Sequence, residues 1–174
     1  MTKTLVLVFH PDLNGRSHVN RALAEAVGEL GNVTVRDEYA LYPDGGIDVK
    51  AEQQAVEAAD RVVFQFPLYW FSSPALLKEW EDKVLEHGWA YGSEGHAFEG
   101  KEFAVAVSTG SPESKYQPDG DNHFTIDQVL VPFEATANHI NATWVEPFVT
   151  FASFGISDET LNAQAEAYKA FLTK

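Results

Sequence analysis

The chain has 174 residues, 45% of them hydrophobic, with no cysteine and 26 acidic against 12 basic residues, for a formal charge of −14. That length supports a single domain over residues 1–174 whose core needs no staple, and the missing thiols exclude a disulfide framework, a thiolate metal site and thiol catalysis. The acidity argues against nucleic acid or an anionic membrane surface as a partner, and a solvated surface accounts for it without a functional claim.

Residues 3–9 form an apolar run of the kind a strand covered on both faces requires, too short for a signal segment or a membrane span. A cytoplasmic protein is therefore expected. Val19, Ala22, Leu23, Ala26, Val27 and Leu30 then recur at helical spacing until Gly31-Asn32 stops the helix. Residues 33–35 return to strand composition, 50–59 read as a helix and 61–66 as a third strand. Pro74 stands where a first helical turn tolerates proline, with Leu76, Leu77, Trp80, Val84 and Leu85 on one face. A fourth strand is expected at 103–108, followed by a long loop over 109–122. A helical stretch interrupted by Pro132 leads to a strand near 144–150, and Ser157, Asp158 and Glu159 open a last helix over 157–172. Five strands alternating with helices specify an α/β fold with a parallel sheet and right-handed crossovers, whose ligands sit outside the carboxyl ends of the strands.

Several motifs fail on inspection. Gly95 to Lys101 has the spacing of a nucleotide P-loop, but Glu102 replaces the magnesium-binding hydroxyl and the string precedes a strand. No G-x-G-x-x-G follows the first strand. Asp119-Gly120-Asp121 would need a carboxylate at Leu130 to complete a calcium loop. The six histidines show no metal-ligand spacing, so no metal site is expected.

Three loops at carboxyl ends of strands suit one flat, phosphorylated ligand. His10 leads through Ser17, His18, Val19 and Asn20 into a helix N-terminus, where backbone N–H groups and a hydroxyl form an anion site in a protein of any net charge. Read alone, Ser17 equally serves as a helix cap and Asn20 as a surface residue. Pro67, Leu68, Tyr69, Trp70 and Phe71 offer an apolar wall after the third strand, though such a run also suits simple core packing. Thr109, Gly110 and Ser111 follow the fourth strand, where Gly110 permits close approach of a ring. In strand order one, three and four, these loops bracket the point where the sheet order reverses.

At these same residues the chain resembles the flavodoxin-like NAD(P)H:quinone oxidoreductases, the DT-diaphorase-like group. The strings are His10-Pro11, Ser17-His18-Val19-Asn20, Phe64-Gln65-Phe66-Pro67-Leu68-Tyr69-Trp70, Pro74-Ala75-Leu76-Leu77-Lys78-Glu79-Trp80, Gly88-Trp89-Ala90-Tyr91-Gly92, and Thr109-Gly110 with Tyr116. Residues 32–43, 88–92 and 158–161 are most similar to the ancillary subunits of glutathione-gated potassium efflux systems in that family. The resemblance implies a three-layer sandwich on a five-stranded sheet of order 2-1-3-4-5. It further implies FMN rather than FAD as cofactor, NAD(P)H as donor, a quinone-like acceptor, a ping-pong cycle and a homodimer. Residues 10 and 17–20 would fall on the phosphate and ribityl chain, and 67–71 with 109–111 on the ring. Tyr116 would face the ring's C2 carbonyl. The family's relay histidine falls at Asn122, with His123 beside it, and Ser111 replaces a second glycine. A regulatory subunit docked on a potassium efflux transporter at the inner membrane face, and a simple electron carrier, remain as alternative readings.

Overall fold

The computed structural model describes residues 1–173. Its sheet comprises β1 (Thr4–Val8), β2 (Val33–Asp37), β3 (Arg61–Pro67), β4 (Glu102–Ser108), β5 (Thr143–Trp144) and β6 (Phe148–Thr150). Every pairing is parallel, in the order β2-β1-β3-β4-β5, with β6 also on β4. The helices are α1 (Val19–Gly28), α2 (Glu38–Leu41), α3 (Val49–Glu57), α4 (Ala75–Val84), α5 (Ile126–His139) and α6 (Asp158–Thr173).

Successive side chains of a strand point to opposite faces, so each apolar run feeds two cores. Leu5, Leu7, Val62, Phe64, Phe103 and Val105 face α3, α4 and α5, where Val56, Leu77, Trp80 and Phe133 complete one layer. Val6, Val8, Val63, Ala104 and Ala106 face the other way, against Val19, Leu23 and Val27 of α1 and Leu161, Tyr168 and Leu172 of α6. Phe9, Phe64 and Trp80 meet edge to face with centroids 5.2–6.4 Å apart, the geometry ring quadrupoles favour.

The structure departs from the sequence reading in four places. The strand expected near 144–150 is two short strands, so the sheet has six rather than five. β5 pairs Glu102 and Phe103, β6 pairs residues 106–108, and Pro147 between them has no N–H to donate to the ladder. Pro132 does not interrupt α5: it sits on the exposed face, and Thr136 Oγ1 donates to its carbonyl at 2.9 Å. Thr125 and Gln128 start that helix with a reciprocal capping box. The helix expected over 50–59 runs Val49–Glu57, with the Asp48 carboxylate accepting from Ala51 N. Finally, α2 is a single turn, capped by Asp37 accepting from Ala40 N at 3.2 Å.

Beneath the β1–β2 edge lies a buried acid pair. Glu38 and Glu52 are fully buried and both engage Arg36. Glu52 also accepts from Trp80 Nε1 at 2.9 Å and from the Tyr42 hydroxyl at 2.6 Å. Glu38 Oε2 has no partner among the described residues, and burial first, then repulsion from Glu52, pushes the Glu38 carboxyl up to about 8 despite Arg36.

Candidate functional site

The loop after β1 is tied back on itself. Phe9 N donates to Gln65 O, and Arg16 N and Ser17 N both donate to Asp12 O. His10 Nδ1 accepts from Asp12 N at 3.0 Å, and burial holds its pKa below the ordinary value despite Asp12 and Asp37. A neutral ring accepting at Nδ1 carries its proton on Nε2, which is therefore a donor. The chain then enters α1, whose N-cap residue His18 makes no side-chain capping bond. Ser17 Oγ instead accepts from Arg21 N, in the first turn, leaving its own O–H to donate. First-turn N–H groups, a hydroxyl and the exposed Arg16 make this end suited to an anion.

Asn20 is buried rather than on the surface, and it joins three elements. Its Nδ2 donates to Ser108 Oγ of β4 at 2.9 Å, and Gln65 Nε2 of β3 donates to its carbonyl at 2.8 Å. These bonds fix the first turn of α1 over the carboxyl ends of β3 and β4.

After β3, Leu68 N donates to Ser108 O, and the chain turns back in four residues. Tyr69 N donates to Ser72 O at 3.1 Å and Ser72 N to Tyr69 O at 2.9 Å. The two central residues, Trp70 and Phe71, have φ of +48° and +61°. Paired positive values describe a type I′ turn, a conformation that favours Asn-Gly and strains large side chains. Trp70 is 94% exposed and Phe71 50%.

The loop after β4 is held from beneath. Thr109 is fully buried, its N–H donating to Thr150 O and its hydroxyl to Ser111 O at 2.7 Å. Tyr116 is also buried, packs on Phe151 with ring centroids 5.8 Å apart, and has its hydroxyl pKa raised by burial, with Thr109 opposing. Asn122 N donates to Lys115 O, and the exposed His123 takes φ +58°.

One cavity of about 560 Å³ gathers these segments, within the range of small-ligand sites. Its walls include His10, Ser17, His18, Val19, Asn20, Pro67, Leu68, Tyr69 and Gly110. Trp70, Phe71, Thr109, Ser111, Tyr116, Asn122 and His123 are not among its lining residues: the first two are exposed, Thr109 and Tyr116 are buried, and the last two sit further along the loop. The sequence reading also missed a fourth wall. Ser153, Phe154 and Ile156 follow β6, where a turn of 3-10 helix is bolted on by Ala152 N to Ser111 O and Ser153 N to Thr109 O. The signal was available, because this loop too leaves the carboxyl end of a strand. Among the described residues no group of three or more His, Asp or Glu is placed to hold a metal ion, and no helix is long and apolar enough to cross a membrane.

Sheet order and cavity together define a flavodoxin-like protein with its pocket at the topological switch point. The family model described as flavodoxin-like fold matches residues 2–172. General stress protein 14 of Bacillus subtilis is 49% identical over 98% of this chain and 97% of its own length. KefF, the ancillary protein of the glutathione-regulated potassium-efflux system of Salmonella arizonae, is 46% identical over 95% and 92%. Among solved structures, general stress protein 14 of Treponema denticola, in complex with FMN, aligns with a TM-score of 0.94 at 42% identity, covering 98% of both chains. An NADPH-quinone reductase of P. pentosaceus gives 0.88 at 32%, covering 97% and 96%. A structure described as a thermophilic tryptophan halogenase from Streptomycin violaceusniger gives 0.95 at 49%, covering 98% of both. The chain belongs to the flavodoxin-like NAD(P)H:quinone oxidoreductase family.

Proposed function

We propose that the protein is an FMN-dependent NAD(P)H:quinone oxidoreductase that passes two electrons as hydride in a ping-pong cycle, with donor and acceptor taking turns at one cavity mouth. The observation that carries this reading is the polarity of the cavity, with anion donors at the α1 end and an apolar wall from Pro67 to Tyr69 at the other. FMN, when bound, supplies the hydride chemistry, and the protein supplies position and electrostatics.

The residues fit a phosphorylated flat ligand on their donor chemistry. The first turn of α1, Ser17 and His10 Nε2–H bind the phosphate and ribityl hydroxyls, while burial keeps His10 neutral and the Asp12 N–H orients its ring. Pro67, Leu68 and Tyr69 exclude water from the ring, and Gly110 bounds it on the β4 side. Thr109 and Ser111 shape that loop. Tyr116 is a positioning residue acting through Thr109, and Asn122, which cannot titrate, and His123 complete the loop beyond it. The exposed Trp70 and Phe71, beside the mouth, suit the acceptor ring or a second copy of the chain in a homodimer.

An ancillary role on a potassium efflux transporter, at the inner face of the membrane, is the second reading, favoured by the 46% identity to KefF. It is compatible with the enzyme. The protein is cytoplasmic in either case. The deciding experiment is the absorbance spectrum of the purified protein, FMN release on denaturation, and NAD(P)H oxidation with and without a quinone. Flavin bands and quinone-dependent turnover are expected; a colourless protein that takes up no FMN refutes the proposal. Long-lived one-electron radical on photoreduction, without turnover, would instead support an electron carrier.

A further inference from the structure

Phe154 is 94% exposed in a protein whose other mid-chain phenylalanines are mostly buried, yet it has a fixed seat. A methyl group at Gly110 would fall 2.2 Å from its Cε2, so the ring rests directly over the Gly110 backbone. Ala152, two residues earlier, holds φ +56°, a strained value for alanine, and its N–H with that of Ser153 anchors the turn to Ser111 and Thr109. The side chain lines the same cavity as Ser17 and Leu68. An apolar ring kept in water, on a strained but anchored turn, at the wall of a ligand cavity, is poised to be covered by what enters.

We infer that Phe154 is a cofactor-binding residue, the aromatic plate against which the flat ring of the flavin packs on the β4 side of the cavity. The inference rests on the flavin reading and adds to it the residue that selects for the ring, as distinct from the phosphate. Gly110 then has a different role from the one its sequence position suggests: it admits Phe154, and Phe154 meets the ligand. Covering roughly half of a phenylalanine side chain is worth an order of magnitude in affinity.

The test compares FMN with riboflavin, which has the ring but no phosphate, in fluorescence titrations of the wild-type apoprotein, Phe154→Ala, Phe154→Leu and Ser17→Ala. Phe154→Ala is expected to weaken both ligands about tenfold, or ~1.4 kcal/mol, with Phe154→Leu recovering part of the loss. Ser17→Ala is expected to weaken FMN more than riboflavin. Because Phe154 buries almost none of its surface, an unchanged melting temperature without ligand is expected for Phe154→Ala. If wild type binds FMN and Phe154→Ala binds both ligands within twofold of it, the plate assignment is wrong while the flavin reading stands. A loss confined to FMN overturns it too. Failure of wild type to bind either ligand removes both.

Discussion

Replacing Trp70 by asparagine should make the protein more stable and less able. Trp70 holds φ +48° in a turn closed by Tyr69 and Ser72, and a left-handed conformation costs a residue with a large side chain roughly 1–2 kcal/mol. Asparagine tolerates that region. With 94% of Trp70 in solvent, the substitution forfeits almost no burial, so the net gain is about 1 kcal/mol. In a chain of this length that raises the melting temperature by about 2–4 °C. The measurement is thermal unfolding of the flavin-free protein by far-ultraviolet circular dichroism, which keeps ligand linkage out of the comparison. Quinone turnover of the flavin-loaded variant should fall several-fold, since a tryptophan held at such cost beside the cavity has contact as its purpose. A melting temperature that drops would refute the strain argument; a rise with full turnover would refute the functional one. Phe71→Gly is the poorer probe, because Phe71 is half-buried and its removal mixes strain relief with lost packing.

The other predictions concern the acid pair and the β4 loop. Glu38 is pushed up to about 8, above its unfolded value, so its contribution is fully present at low pH and is lost as pH rises through about 8. The Glu38-dependent part of stability should fall with rising pH by up to about 1.4 kcal/mol per unit below that value, and Glu38→Gln should flatten the profile; parallel urea midpoints for the two proteins between pH 6 and 9 would refute this. Arg36→Met leaves the buried Glu38–Glu52 pair without its cation and should cost about 3–5 kcal/mol in urea unfolding, far more than an exposed pair such as Lys78–Asp82. Gly110→Ala should displace the Phe154 ring and weaken FMN binding with little change in melting temperature, because the clashing atom is the end of a side chain. Tyr116→Phe should leave flavin content intact and slow quinone turnover; an unchanged rate would assign Tyr116 to packing alone.

Much of this fold was legible because strand alternation and helix caps are local. The run from Leu5 to Phe9 announced a strand buried on both faces, and Ser157 caps the last helix by accepting from Thr160 N at 3.1 Å. The convergence of residues 10–20, 67–69 and 110 on one cavity followed from the rule that parallel sheets bind ligands at strand carboxyl ends. What escaped depended on partners distant in sequence. Asn20 was a candidate ligand contact, but the bonds that bury it need Gln65 and Ser108 brought to it, and Phe154 reads as loop until Gly110 is beneath it. Pro147 was visible, but that it splits a strand depends on the register of β4. In the run at 67–71, Pro67, Leu68 and Tyr69 line the cavity, while the tight turn leaves Trp70 and Phe71 exposed.

The wall contributed by Ser153, Phe154 and Ile156 has a consequence for the order in which the protein is made. During synthesis the first, third and fourth strands emerge and can pair well before this turn leaves the ribosome, and the turn is held only once Thr109 and Ser111 are already in place to accept its two N–H groups. The pocket thus lacks this wall until the turn has left the ribosome and docked on the loop after β4. A chain interrupted before this turn keeps β1, β3, β4 and the start of α1, but its cavity lacks the wall made by Ser153, Phe154 and Ile156.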